Sequence, residues 1–317
     1  LAAKARSESD WLVGINGTQA LTIAAGRGTY SVGRVQTPTL GMVCERYWEN
    51  RRFTPEAFWQ LHIAVDGNND GTVKLSSSGK WKEKEPATVL YNKVKEAGTA
   101  AVTKVERKEK TEETPLLFDL TTLQKEANAK HGFTAEQTLG IAQKLYEKKL
   151  VTYPRTGSRY IPDDVFAEIP KLLAFIGAMP EWKGKVQVKA GPTRRSVDGG
   201  KVTDHHALLV TGEKPLFLSK EDNTVYQMIA GRMIEAFSEK CVKDTTTVTA
   251  ECAGAEFTVK GSIIRQAGWR AVHGEEDKEE ISIPDWQEGD TLTLKGCSIT
   301  EGKTKPKPLH TEATLLS

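Results

Sequence analysis

The spacing of apolar positions changes several times along the 317-residue chain, and each change predicts a new kind of element. In QTPTLGMVCERYWENRR, Leu40, Val43, Cys44 and Tyr47 recur at i, i+3, i+4 and i+7, the stripe of an amphipathic helix. Thr37 is read as its cap and Pro38 as its first helical residue, with SVGRVQ ahead of it as a glycine loop. From residue 57 the period falls to two: Trp59, Leu61, Ile63 and Val65 alternate with Gln60, His62 and Ala64, which predicts a strand with one buried face. Val102, Lys104 and Glu106 mark a second strand, and DGNNDG and LSSSGK between the two are read as turns. Helical spacing returns after Pro115. Capping boxes are read from Thr121 to Gln124 and from Thr134 to Gln137, the second opening a helix with Leu139, Ala142, Leu145 and Tyr146 on one face. Farther on, VYQMIAGRMIEAF is helical, and TTTVTAECAGAEFTVKGS predicts a hairpin around Ala253 and Gly254 with Phe257 and Val259 on one side. The stretch GKTKPKPLH is read as a linker, and Thr311 to Leu316 as the start of a helix.

The order is therefore helix, β, helix, β, helix start, which predicts an α+β multidomain chain. A helical block between two β stretches is most simply an inserted domain tied by two connections to one split β domain. The expected boundaries are 1–52 for a first helical part, 53–114 with 243–300 for the split β domain, 115–242 for the insert and 301–317 for a return to the first part. A chain that opens on LAAKAR and stops just after a helix begins is expected to be a piece of a longer protein.

Composition changes this picture little. A hydrophobic share of 38%, a charged share of 27% and the lack of a long apolar run predict a soluble chain without a membrane span. Cys44, Cys241, Cys252 and Cys297 lie far apart without a CxxC pair, so they are read as ordinary small apolar residues in a reducing cytoplasm. With 44 basic and 42 acidic side chains the net charge is +2, and nucleic-acid binding has to be argued from local sites.

One such site is VTYPRTGSRYIP, residues 151 to 162. Leu150, Val151 and Thr152 favour extended backbone, and Pro154 keeps Tyr153 out of the α region. Side chains two apart on an extended segment share a face, so Tyr153 and Arg155 are expected to point at one target. A phenol has a pKa of about 10 and is a poor nucleophile at neutral pH. A neighbouring cation favours its ionised form and also binds a phosphate oxygen, which suits transesterification of a phosphodiester. In KVTDHHALLVTG, two adjacent histidines cannot share a face, so at most one of His205 and His206 is expected to face the site while the other packs or meets water; near Tyr153 it could offer a proton to the phosphate or the leaving oxygen. SVGRVQTP presents backbone N–H groups at a helix start, with Ser31, Arg34, Gln36 and Thr37 as added phosphate contacts. In ARSESDWLVG, Arg6 and Asp10 lie i, i+4 on one helical face, where a plain ion pair accounts for them equally well.

Taken together, ARSESDWLVGING, SVGRVQTPTL, the long block from FDLTTLQKEANAKHGF through VTYPRTGSRYIP, TDHHA and LHTEATLL resemble type IA DNA topoisomerases, in particular the topoisomerase III branch. The resemblance covers nearly the whole chain in one order. It implies a toroid fragment in which the insert carries the active-site tyrosine. Tyr153 would attack a single strand to give a transient 5′-phosphotyrosine, Arg155 would hold the scissile phosphate, and His205 would assist, with His206 a neighbour. Arg6, Asp10, Ser31, Arg34 and Gln36 match motifs that guide single-stranded DNA. It further implies strand passage through a gate, resealing without ATP, and a monomer in the cytoplasm at the nucleoid. Magnesium is implied for the full-length enzyme, through an acidic DxD cluster in an N-terminal Toprim domain. This sequence has no DxD pair, so the fragment is expected to bind no metal and to leave supercoiled DNA unrelaxed by itself. Two positions depart from the family pattern: Gly157 where an aspartate is usual, and Val210 where a proline is usual. Two other readings compete. One is a single-stranded DNA clamp without catalysis, using Arg6, Arg34 and Arg155. The other is a metal phosphoesterase of the DHH type at 204 to 206, which would need further aspartate clusters that the sequence lacks.

Overall fold

A computed structural model describes residues 1–67, 71–186, 191–274 and 282–317; the centre of the expected DGNNDG turn lies outside the described residues. The chain divides into two compact units, Leu1–Pro55 with Thr304–Ser317, and Glu56–Lys303.

In the first unit α1 (Ala2–Trp11) runs through a π-helical turn, Leu12–Asn16, into α2 (Gly17–Ala25), and α3 spans Gln36–Arg52. The expected Thr37 cap is corrected here. The helix starts earlier, at Gln36, because the chain already turns at Gly33, whose N–H donates to Thr37 Oγ1 at 3.0 Å. The stripe of Leu40, Val43, Cys44 and Tyr47 is exposed, so Cys44 is not a core residue, whereas Cys241 and Cys252 are buried. The tail folds back on α3. Asn50 Nδ2 donates to the Lys307 carbonyl at 2.8 Å, and Lys307 pairs with Glu49 at 2.9 Å. Thr311 caps the final turn, Glu312–Leu315, as its sequence suggests.

In the second unit β1 (Ala57–Asp66) and β2 (Thr72–Ser77) are followed by α4 (Lys84–Ala97) and β3 (Thr99–Glu112). α5 (Leu120–His131), α6 (Ala135–Glu147), α7 (Asp163–Gly177) and α8 (Lys220–Phe237) come next, and β4 (Cys241–Cys252), β5 (Ala255–Gln266) and β6 (Thr291–Lys303) complete it. The strands close into an antiparallel barrel in the order β1-β2-β5-β4-β3-β6. Leu61, Ile63 and Val65 fill its interior as the alternation requires, with Leu75, Val248 and Phe257 from other strands. His62, on the opposite face of β1, is bridged by Ser76 and Thr300 at 2.8 Å each, and burial, with Lys74 adding to it, pushes its pKa down.

Several sequence readings are corrected. LSSSGK is not wholly a turn, because Leu75–Ser77 pair with β1 and β5. The linker begins at Thr304, since Gly302 and Lys303 still pair with β1. Residues 84–97 form a helix that the reading left out; Ala87 and Val94, seven apart, are its buried contacts, and Gly98 ends it in the left-handed region. The cap of α5 is Asp119, closing a box with Thr122; its carboxylate is a stronger acceptor than the Thr121 hydroxyl for an N-terminal N–H. The Thr134–Gln137 box is present, but the buried face of α6 is Thr138, Ile141, Ala142 and Leu145, leaving Tyr146 outside.

The β4–β5 turn is the expected one. Ala253 (φ 53) and Gly254 (φ 81) are both left-handed, as a two-residue hairpin turn of the primed type demands. Alanine is disfavoured there by its Cβ, and asparagine tolerates the region. Ala253→Asn is therefore expected to stabilise the fold by about 0.5–1 kcal/mol, read as a higher thermal midpoint.

The helices α5 to α8 gather around Leu123, Ile141, Leu145, Ile169, Ile229 and Met233. Their chain leaves and re-enters the barrel at one place, for Glu112 at the end of β3 pairs with Cys241 at the start of β4. A 3-10 segment after β5, Gly268–Val272, crosses this point. Trp269 N–H donates to the Glu239 carbonyl at 2.9 Å and Arg270 Nε to Glu112 at 2.7 Å, while His273 Nε2 reaches Glu235 of α8 at 3.1 Å. Gly268 (φ 53) has no room for a side chain; a Cβ would lie 2.3 Å from the Lys240 carbonyl oxygen. Beneath the crossing, the buried Arg232 of α8 is fully engaged. Its Nε donates to Glu235 at 2.8 Å, Nη1 to the Leu116 carbonyl at 3.3 Å and Nη2 to Glu126, with the guanidinium 4.0 Å from the centre of the Phe118 ring.

Candidate active site

Tyr153 sits on a short extended run seated by a second one. Val151 bridges Val210, Thr152 N–H donates to the Leu209 carbonyl at 2.9 Å, and Leu209 N–H returns a bond to Thr152 Oγ1 at 3.0 Å. Before this run, Lys149 adopts a positive φ of 61° and Leu150 N–H bonds the Leu145 carbonyl at 2.9 Å, which turns the chain sharply off the end of α6. After it, the buried Thr156 donates from Oγ1 to the His205 carbonyl at 2.8 Å. Pairing of 151–152 with 209–210 thus brings the YPR and DHH segments together.

The Tyr153 ring is half-buried, and its centre lies 4.4 Å from that of the His205 ring, with a tilt of 48°. On another side the Tyr146 ring stands edge-on at 5.4 Å. Among the described residues no hydrogen bond holds the Tyr153 hydroxyl. Arg155 is exposed, and no hydrogen bond or ion pair to the described residues fixes its guanidinium. The adjacent histidines part company. His205 lies on Tyr153, whereas His206 donates from Nδ1 to the Ala207 carbonyl at 2.7 Å and lines a depression with Glu168, Lys171 and Phe175 of α7. A half-buried phenol beside an imidazole, with an exposed guanidinium two residues farther along the chain, is equipped for proton-assisted nucleophilic attack.

The remaining residues singled out by sequence meet in the first unit. Arg34 Nε donates to Asp10 at 2.8 Å and Arg6 stands 3.9 Å from the same carboxylate, so the closer partner of Asp10 is Arg34 rather than its helical neighbour. The Arg34 hydrogen bond holds the Asp10 carboxyl below the usual carboxylate range. Gln36 Nε2 donates to Ser31 Oγ at 3.2 Å, placing both on the loop that enters α3. Sequence reasoning missed Thr152, Thr156 and Tyr146. The two threonines lie inside the quoted motif, and their alternation with Tyr153 and Arg155, on the face shared with Pro154, was the available signal.

Among the described residues no group of three His, Cys, Asp or Glu side chains is placed to hold a metal ion, around Asp204, His205 and His206 or elsewhere. No described helix is long and apolar enough to cross a membrane.

A family profile described as DNA topoisomerase matches residues 1–317. Among similar curated proteins, DNA topoisomerase 3 of Bacillus subtilis is 36% identical over the whole of this chain and 45% of its own length. The proteins of the same name from Bacillus licheniformis and Shouchella clausii are each 35% identical with the same coverage. The chain therefore spans less than half the length of these relatives. A solved structure, full-length topoisomerase I from Thermotoga maritima, matches 99% of this chain and 52% of its own, with a TM-score of 0.76 and 25% identity.

Proposed function

This chain belongs to the DNA topoisomerase family, and from that premise we propose that it carries the strand-cleaving tyrosine of a type IA enzyme. Tyr153 Oη attacks a phosphorus of one DNA strand. The P–O3′ bond breaks as the P–Oη bond forms, and the 5′ phosphate stays on the protein. Attack by the freed 3′ hydroxyl reverses the step, and because the ester conserves the phosphodiester energy no ATP is consumed. His205, already against the phenol, transfers the proton that Oη loses to the departing O3′. Arg155, exposed two residues along the chain from Tyr153, neutralises the scissile phosphate. Arg6, Asp10, Ser31, Arg34 and Gln36 contact the strand's backbone, and His206 contacts it at the edge of the site. The insert at 115–242 lifts to let a second strand pass. Single-stranded DNA is the partner, and the nucleoid is where the reaction takes place.

The observation that carries this reading is the Tyr153–His205 ring contact at 4.4 Å on two paired segments that sequence alone leaves far apart. Magnesium, implied by the family, finds no fitting group among the described residues, and the steps above use only this chain's side chains. The test is a covalent trap: a 3′-labelled single-stranded oligonucleotide is incubated with the intact protein carrying this chain, denatured and digested. Label on the peptide containing Tyr153 is expected. Binding without any adduct would leave only the clamp reading, and label on another residue would sink the assignment.

A further inference from the structure

Tyr146 occupies the last turn of α6 beside the fully buried Leu145, yet it is itself 40% exposed. Core packing therefore does not account for where it lies. Its ring contact is with Tyr153, at 5.4 Å between centres and 80° between planes, an edge-to-face geometry that aromatic pairs favour. The backbone joining the two tyrosines is braced throughout. Lys148 N–H bonds the Lys144 carbonyl at 3.1 Å, Leu150 closes on Leu145, Thr211 Oγ1 donates to the Lys149 carbonyl, and Thr152 is tied to Leu209 on both sides. Tyr146, Tyr153, Lys149, Thr152 and Thr211 line one open depression of about 530 Å³, so both tyrosines border the same solvent-filled recess.

A half-exposed phenol on an extended strand has several staggered χ1 wells open to it. His205 closes one side of the Tyr153 ring and Tyr146 another. We infer that Tyr146 is a positioning residue, whose ring confines the Tyr153 phenol to the orientation from which its oxygen meets the phosphate. This rests on the assignment of Tyr153 as nucleophile. The ring supplies the effect and the Tyr146 hydroxyl is dispensable.

The experiment compares Tyr146→Leu and Tyr146→Phe with the wild type in the intact protein, measuring the rate of the Tyr153 adduct against oligonucleotide concentration. Leucine keeps apolar bulk in the helix and removes the ring. It is expected to lower the saturating rate by about 10- to 100-fold, the scale of a misplaced reacting atom, with half-saturation unchanged. Phenylalanine is expected to restore the wild-type rate. A wild-type rate in Tyr146→Leu overturns the positioning role, as does a Tyr146→Phe variant as slow as Tyr146→Leu, which would point to hydroxyl chemistry. A raised half-saturation at unchanged maximal rate also overturns it, by making the ring a DNA contact. Thermal midpoints of both variants within a few degrees of wild type assign the rate change to the site. Failure of the wild type to form the Tyr153 adduct would overturn the nucleophile assignment as well, which separates that failure from the three outcomes above.

Discussion

Tyr153→Phe is expected to eliminate the covalent DNA adduct, a fall of more than about ten-thousandfold, while affinity for a single-stranded oligonucleotide stays within about twofold. The change removes one oxygen. The ring keeps its place between His205 and Tyr146, because both contacts are made by ring atoms and no hydrogen bond to the described residues holds the hydroxyl. Loss of activity therefore cannot be assigned to a collapsed site. His205→Ala provides the contrast: it leaves the nucleophile and removes only its proton partner, so slow adduct formation persists at roughly 10²- to 10⁴-fold below wild type. Gel separation of labelled adduct from free strand, with binding followed by fluorescence anisotropy, checks both. Equal adduct yield from Tyr153→Phe and wild type would show that another residue attacks.

The second large effect concerns stability. Arg232 and Glu235 have side chains 9% and 8% exposed, and Arg232 also bonds Glu126 and the Leu116 carbonyl. Removing one member of a buried ion pair leaves its partner charged without compensation, at a cost of about 3–5 kcal/mol. Arg232→Met, which keeps a long unbranched side chain in the space beside Phe118 but loses the guanidinium over the ring, is expected to lose that much in urea unfolding at neutral pH. The pH dependence has a definite sign. Burial acts to raise the Glu235 pKa, but the hydrogen bond from His273 and the charge of Arg232 outweigh it, and the group ends below its ordinary value. A carboxyl whose folded pKa is depressed binds fewer protons folded than unfolded, so its contribution is complete above the unfolded value of about 4.3 and is lost as pH falls through the folded value. The stability gap between wild type and Arg232→Met should accordingly narrow on acidification below about pH 4.3. A gap that widened there would contradict this account of the network.

Much of this was legible in the sequence, and the exceptions have identifiable causes. The alternation in β1 predicted which side chains turn inward, because a strand with one wet face records its orientation residue by residue. Closure of the barrel was hidden, since it depends on β1 pairing with β6, more than two hundred residues away, and no local period encodes a distant partner. The cap of α5 was misread because Asp119 and Thr121 are both good capping residues and only the fold chooses between them. At the site, sequence indicated the phenol and an imidazole but not their contact, which requires 151–152 to pair with 209–210. Tyr146 was placed on the core face because successive helical positions differ by only about 100°, so a residue at the edge of a stripe is easily counted inside it.

The pairing of Glu112 with Cys241 limits what the helical body can do. Its two tethers depart side by side as a hydrogen-bonded ribbon, with Trp269 and Arg270 fastened to both Glu112 and Glu239. A ribbon bends across its flat face at little cost but resists shear, since sliding one strand past the other breaks the ladder. On the gate motion proposed above, torque on the body would be channelled into one arc, as on a door with a strap hinge, and the same arc would carry the phosphate on Tyr153 back to the free 3′ hydroxyl.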